Sequence, residues 1–214
     1  MKGHFITLEG VEGSGKSTQM TLLATALLKQ GKNLIVTREP GGTLIGDQIR
    51  RILLDPESKN LAPTAELLLY AAARCQHVQE VILPALEKGN VILCDRYFDA
   101  TTAYQGFARG LSRDILASLH KIATNDLKPD TTLLFDCPAE IGLQRARGRQ
   151  AAQPVLAKEG RFENEALAFH KKVREGYLQL AKVESNRFHI FDGTKEKETL
   201  HREVLEYVQS RLRT

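Results

Sequence analysis

The chain of 214 residues has no tryptophan, and aromatic residues make up only 6% of it. A platform that stacks single-stranded nucleic acid needs successive aromatic faces, so that class of binder is disfavoured. Cysteine is equally scarce. Cys75, Cys94 and Cys137 are odd in number and far apart, with no CxxC and no histidine at metal-ligand spacing, which argues against a disulfide scaffold or a structural zinc site. No apolar run approaches the ~20 residues that span a bilayer. Met1 to Thr7 carry no basic region ahead of an apolar core, so no signal peptide is read there and a reduced, cytoplasmic compartment is the expectation. A strong charge of one sign is missing too. The balance of 30 Lys+Arg against 26 Asp+Glu is +4, which suits an anionic ligand but is no nucleic-acid signature.

What is present is 42% apolar residues and 26% charged ones, the profile of a single soluble domain, residues 1–214, with room for a modest insertion. No internal repeat or linker divides it. Short apolar runs recur: Phe5–Leu8, Leu34–Thr37, Val91–Cys94, Thr132–Phe135 and Phe188–Phe191. They are continuous rather than alternating, as in parallel strands covered on both faces. Between them lie helical patterns. Met20, Leu23, Ala24, Leu27 and Leu28 form one face ahead of Gly31. Val78, Val81, Ile82, Ala85 and Leu86 form another, which Pro84 should kink, and Val204, Leu205, Val208 and Leu212 form a C-terminal seam. Strands alternating with helices predict an α/β three-layer sandwich.

Charge stands at the end of every run: Glu9, Arg38-Glu39, Asp95-Arg96, Asp136 and Asp192. In an open parallel sheet these ends share one edge, where ligands bind. One segment departs from the pattern, residues 148–160 (GRQAAQPVLAKEG), which reads as a flap between two helical stretches.

Gly10-Val11-Glu12-Gly13-Ser14-Gly15-Lys16-Ser17, followed by Thr18, is a full match to GxxxxGK[ST] between a strand and a helix. Glycines let backbone N–H groups curl around phosphate, and the helix N-terminus adds positive charge. Lys16 would reach the β- and γ-phosphates of ATP, and the Ser17 hydroxyl would ligate Mg2+. A GTPase would carry NKxD after a strand, but Asn125-Asp126-Leu127-Lys128 scrambles those letters ahead of one. A motor would carry an acidic pair where Asp95 is followed by Arg96.

Phosphoryl transfer to a small molecule needs a second anion site facing the first. Arg38, in Thr37-Arg38-Glu39-Pro40-Gly41-Gly42-Thr43, and Arg96 both follow strands and could clamp phosphate oxygens bidentately; a surface pair of Arg38 with Glu39 is the plainer alternative. Tyr70 and Arg74 share a helix face suited to a flat base, or else form a core aromatic capped by a snorkelling arginine. Thr101, Tyr104 and Gln105 add hydroxyl and amide groups nearby. Around the flap, Arg145, Arg147, Arg149, Lys158 and Arg161 make either a lid that closes on ATP or a solvated basic helix end.

LEGVEGSGKST (Leu8–Thr18), TREPGGT, AAARCQH (Ala71–His77), DRY with AYQG (Asp95–Tyr97, Ala103–Gly106) and RFE (Arg161–Glu163) together make the chain resemble thymidylate kinases, of the nucleoside-monophosphate kinase group, over essentially its whole length. The resemblance implies a P-loop kinase fold with a five-stranded sheet of order 2-3-1-4-5. It further implies ATP- and Mg2+-dependent phosphorylation of dTMP to dTDP, by a homodimer that engages neither nucleic acid nor membrane. Carried over by position, it makes Glu12 the carboxylate near the sugar 3′-hydroxyl and Arg38 and Arg96 the acceptor-phosphate clamps. Asp95 becomes the acid of the Mg2+ site, Tyr70 the stacking residue where Phe is usual, and Arg74 the base-edge donor. Thr101 reads the pyrimidine, Tyr104 crowds a ribose 2′-hydroxyl and Arg147 stacks on adenine. Gly13 and Ser14 stand where some members carry a catalytic arginine, so the chain resembles the bacterial type with that arginine in the lid, and Arg149 is the candidate. The acidic residue that commonly precedes RFE is Gly160 here, with Glu159 one place earlier.

Overall fold

A computed structural model describes residues 3–153 and 158–212. The five apolar runs are strands: β1 (His4–Glu9), β2 (Leu34–Arg38), β3 (Val91–Asp95), β4 (Thr131–Asp136) and β5 (Phe188–Asp192). All pair in parallel, in the order β2-β3-β1-β4-β5. Inner strands β3, β1 and β4 are buried almost throughout, which is why their sequences are unbroken apolar runs. The edge strands β2 and β5 expose Val36 and Ile190. Register sets Leu8 and Arg38 beside Asp95, and Asp136 beside Asp192, so the strand ends do form one edge.

Helix α1 (Lys16–Lys29) springs from the P-loop, buries Met20, Leu23, Ala24 and Leu27, and leaves Leu28 exposed. Helix α2 (Leu44–Leu54) begins where the Thr43 hydroxyl accepts the Gly46 N–H, a side-chain N-cap. Helix α3 (Pro63–His77) passes into a π turn at Val78–Ile82 before α4 (Leu83–Glu87). The kink expected at Pro84 takes this form because proline has no N–H to return to the Glu80 carbonyl. Then follow α5 (Phe98–Thr101), which runs into a second π turn at Thr102–Ala108, α6 (Arg113–Thr124), α7 (Ala139–Ala152), α8 (Leu167–Val183) and α9 (Lys197–Arg211).

Helices α1 and α9 bury one face of the sheet, including Val204 and Val208 of the C-terminal seam. The other face is covered by the second π turn and α8 near β4, and by the first π turn near β3. The flap expected over 148–160 starts later than its composition suggests. α7 continues to Ala152 because Gly148 is followed by helix-tolerant Arg149, Gln150 and two alanines, and residues 154–157 lie outside the described residues. No helix among the described residues is long and apolar enough to cross a membrane.

Candidate active site at the carboxyl edge of the sheet

A cavity of about 400 Å3 opens over the ends of β1 and β3. P-loop residues 12–17 line it together with Tyr70, Arg74, Thr101, Tyr104 and Gln105, and Asp95, Arg96 and Arg149 are also in its wall. Three of the sequence-expected ATP-site residues, Gly10, Val11 and Thr18, do not line it; the Val11 side chain belongs to the core. Nor do Arg38 and Arg147. Arg38 is exposed and pairs with Asp47 at 3.4 Å, not with its neighbour Glu39. Arg147 donates from Nη2 to the Glu163 carbonyl at 3.1 Å.

Within the P-loop, Lys16 Nζ donates to the carbonyls of Gly10 and Val11, each at 2.8 Å. Burial pushes this ammonium down to about 8; Arg96 adds to the shift, while Asp95, Glu12 and Glu9 oppose it. The loop is pressed against α7. A Cβ on Gly13 would fall 2.0 Å from the Gly142 carbonyl oxygen, and one on Gly142 would fall 2.4 Å from that of Glu12. Position 13 therefore admits no side chain unless α7 and the loop move apart.

Arg96 holds the centre. It is a non-glycine residue at φ +70, a left-handed conformation that L residues reach at a cost and that clusters at functional sites. Its N–H donates to the Leu8 carbonyl at 3.0 Å, and its own carbonyl accepts from the Cys94 thiol at 3.0 Å. Nη2 reaches Glu12 Oε1 at 2.9 Å, Nη1 reaches the Tyr177 hydroxyl at 3.0 Å, and the guanidinium lies over the Tyr104 ring. The Tyr104 hydroxyl donates to the same Glu12 oxygen. Burial alone would raise the Glu12 carboxyl, but Arg96, His170 and Lys16 outweigh it and hold the group well below the usual carboxylate range.

Arg74 is 2% exposed, so it is no snorkelling cap. Nε donates to Glu39 Oε2 at 2.7 Å and Nη2 to Thr101 Oγ1 at 2.9 Å, whereas Nη1 is buried without a hydrogen-bond partner. Glu39 is steadied in turn by His77 Nδ1 at 3.0 Å, and His77 Nε2 meets Thr37 Oγ1 at 2.7 Å. Asp95 Oδ1 is likewise buried and unpartnered. Each is a polar atom that an incoming group could satisfy. Gln105 donates to Glu66 Oε1 at 2.7 Å, and Arg161 Nη2 donates to Glu66 Oε2 at 2.6 Å. Arg161 is thus a buried strut rather than a lid arginine, because the post-flap chain tucks beneath α3.

The remaining edge charges serve the fold. Glu9 accepts the Tyr97 N–H at 2.7 Å and the Tyr177 hydroxyl at 2.8 Å, and burial, with Asp99 adding to it, raises it to about 8. Asp136 takes Arg174 in a two-point pair at 2.7 and 2.8 Å, and Asp192 accepts from Thr194. Along α7 the three arginines diverge as their spacing foretells: Arg145 donates to the Gly193 carbonyl at 2.8 Å, Arg147 turns to Glu163, and Arg149 faces the cavity. Sequence reasoning gave no role to His77, Glu66 or the α8 trio His170, Arg174 and Tyr177. The trio's i, i+4, i+7 spacing was the available signal, since it puts three polar groups on one face.

The family model for thymidylate kinase matches residues 8–204. A thymidylate kinase of Geotalea uraniireducens is 56% identical over 193 residues, covering 90% of this chain and 90% of that protein. One of Pelobacter propionicus is 51% identical over 213 residues, covering 98% and 96%. Among solved structures, thymidylate kinase from Ehrlichia chaffeensis superimposes with a TM-score of 0.77 at 30% identity, covering 98% of this chain and 99% of that one. With the sheet order, the P-loop and the cavity in place, the conclusion is plain: the chain belongs to the thymidylate kinase family.

Proposed function

We propose that the cavity holds both nucleotides, ATP on the P-loop side and dTMP against Arg96, Arg74 and Tyr70. As a member of its family the chain is an ATP-dependent phosphotransferase that converts dTMP to dTDP. The observation that carries the assignment of the site is a single one. The P-loop lysine and four cavity-lining arginines (Arg50, Arg74, Arg96 and Arg149), Arg74 with an unpartnered buried Nη1, share a space of about 400 Å3.

The roles follow from position. Lys16 exchanges its P-loop carbonyls for β- and γ-phosphate oxygens. Arg96, locked by Glu12 and Tyr177, presents its guanidinium to the acceptor phosphate. Arg149 supplies positive charge where negative charge builds on the transferred group. The acceptor phosphate is already ionised, so alignment and charge stabilisation carry the rate and no strong base is required. Arg74 Nη1 offers a donor to the edge of a base that lies against Tyr70, Thr101 is fixed by the same arginine, and Tyr104 stands where a ribose would pass. Gln105 acts through Glu66 to place α3. Arg38 joins the acceptor phosphate by leaving Asp47, and Arg147 the adenine by leaving Glu163. Ser17 and the free Asp95 Oδ1 fit a magnesium ion that takes its other ligands from phosphate and water. Such an ion would neutralise charge on the bridging phosphate oxygens.

We read the chain as one domain whose lid, expected over about 148–160, begins at the end of α7, working as a homodimer in a reduced cytoplasm. Three unpaired thiols support the compartment. Exposed Ile45 and Ile52 on α2, Leu68 on α3, and Ile115 and Ile122 on α6 support the dimer, since α3 packs against both α2 and α6. The test is ADP release with dTMP, dUMP, dCMP, dGMP and thymidine as acceptors. Activity should centre on dTMP with weaker dUMP, and Lys16→Ala and Arg96→Ala should each lose at least about 100-fold in kcat with unchanged circular dichroism. Near-wild-type turnover in either variant removes the role assigned to that residue.

A further inference from the structure

His170, on the first turn of α8, is 1% exposed and touches two parts of the site at once. Nε2 lies 3.0 Å from the Phe162 carbonyl oxygen, and Nδ1 lies 3.2 Å from Glu12 Oε2. A carbonyl only accepts, so Nε2 carries a proton. In the neutral ring Nδ1 would then turn a lone pair on a carboxylate oxygen, two acceptors face to face in a buried place. A second proton on Nδ1 removes that conflict. Nδ1 and Oε2 stand at ion-pair distance, and neither completes a well-angled hydrogen bond to any group, each other included, so each is the other's available partner. The carboxyl is the poorer home for the shared proton, because Arg96 and Lys16 favour its charged form against burial.

The contacts on either side give the pair its reach. Phe162 directly follows Arg161 after the flap, lines the cavity, and sets its ring edge-on to Tyr104 with centroids 5.3 Å apart. Glu12 Oε1 receives both Arg96 and Tyr104. The charged and titratable groups around the pair are Lys16 at the start of α1, Arg96 after β3, Tyr104 in the second π turn and Glu163 after the flap. Glu163 is raised by its own burial and then by Glu12.

We propose that His170 is a positioning residue for phosphoryl transfer, a buried ring that ties the base of the lid, through Phe162, to the carboxylate that holds Arg96. Seating of the lid base is thereby felt at the acceptor phosphate without either nucleotide touching His170. The inference rests on the functional reading above, in which Arg96 binds that phosphate.

Two isosteres separate the two contacts. The amide nitrogen of His170→Asn stands where Nδ1 does and keeps the donor to Glu12; that of His170→Gln stands where Nε2 does and keeps only the link to Phe162. Initial rates with dTMP varied at saturating ATP should leave His170→Asn within about threefold of wild type. His170→Gln should lose at least tenfold in kcat/KM for dTMP, about 1.4 kcal/mol, with KM for ATP little changed. Equal rates in wild type and His170→Gln, or equal losses in both variants accompanied by equal losses of melting temperature, would each overturn the proposal. A wild-type enzyme that fails to phosphorylate dTMP overturns the functional reading instead, and His170's role with it.

Discussion

Lys16 is a buried cation whose work requires charge, and its surroundings set a limit on when it has one. With its ammonium pushed down to about 8 in the free protein, the side chain discharges as pH rises through that value. Phosphate anions favour the charged form, so the ATP complex holds a proton that the free enzyme has lost. Affinity for ATP should therefore weaken above about pH 8, by up to tenfold per pH unit, with proton uptake on binding in the same range. The sign for stability is the opposite one. The unfolded lysine keeps its proton up to its ordinary value of 10.5, so this residue costs the unliganded fold stability below about pH 8, and the cost fades between there and 10.5. Calorimetry in two buffers of different ionisation enthalpy measures both the affinity and the proton. An ATP affinity that is flat between about pH 7 and about pH 9.5, with no uptake, would sink the assignment.

At this scale sequence reading located the site better than it located partners. Lys16, Asp95 and Arg96 were legible because each stands at a strand end or in the P-loop, whereas Arg74, inside a helix, could not be told from a core cap. The partner of Arg38 was not, since Asp47 is reached only through the fold of α2. Arg161 looked like a lid residue because burial beneath α3 leaves no local mark.

Among elements, the contact of the P-loop with α7 decides the most. The sequence predicts the strands almost to the residue, because continuous apolar runs bounded by charge admit few other readings. It misplaces the start of the flap, because glycine at 148 resembles a helix stop although nothing crowds it within 4 Å. Gly142 is the counter-example, a helix residue whose lack of a side chain is essential. Gly142→Ala would put a Cβ 2.4 Å from the Glu12 carbonyl oxygen, forcing α7 and the loop apart. The expected cost is about 1–3 kcal/mol of stability, as for other overpacked sites, with KM for ATP rising about tenfold. Gly148→Ala is the matched control. With open space around it, the change should be neutral or stabilise by up to about 1 kcal/mol. Thermal melts and initial rates on the two variants check both statements, and a Gly142→Ala enzyme with wild-type melting and KM would contradict this account of the close approach.

For the whole molecule, charge and apolar surface are divided between different regions. Lys16, Arg74, Arg96 and Arg149 gather at one sheet edge around the cavity, so part of the mild positive balance stands where the proposed function puts phosphates. Among the described residues, half of the exposed large apolar side chains lie on α2, α3 and α6, where Ile45 and Ile52, and Ile115 and Ile122, each repeat at i, i+7 along a helix. Single exposed apolar residues need no explanation, but repeats on helices that adjoin α3 do. Helices α2 and α3 also carry Arg50, Tyr70 and Arg74 to the cavity, so the same elements serve the candidate interface and the base site. Ile122 is 74% exposed in the isolated chain, and Ile122→Glu should leave the fold intact while placing a charge in the interface core, where charged residues are depleted. Sedimentation velocity should then show a dimer for wild type and a shift to monomer for Ile122→Glu at about 1–10 µM, a loss of at least tenfold in association. KM for dTMP should rise with dissociation while KM for ATP stays nearer its wild-type value, because none of these helices carries a P-loop residue. A wild-type chain that sediments as a monomer at every concentration, or an unchanged dimer in Ile122→Glu together with Ile52→Glu, would remove these helices as the interface.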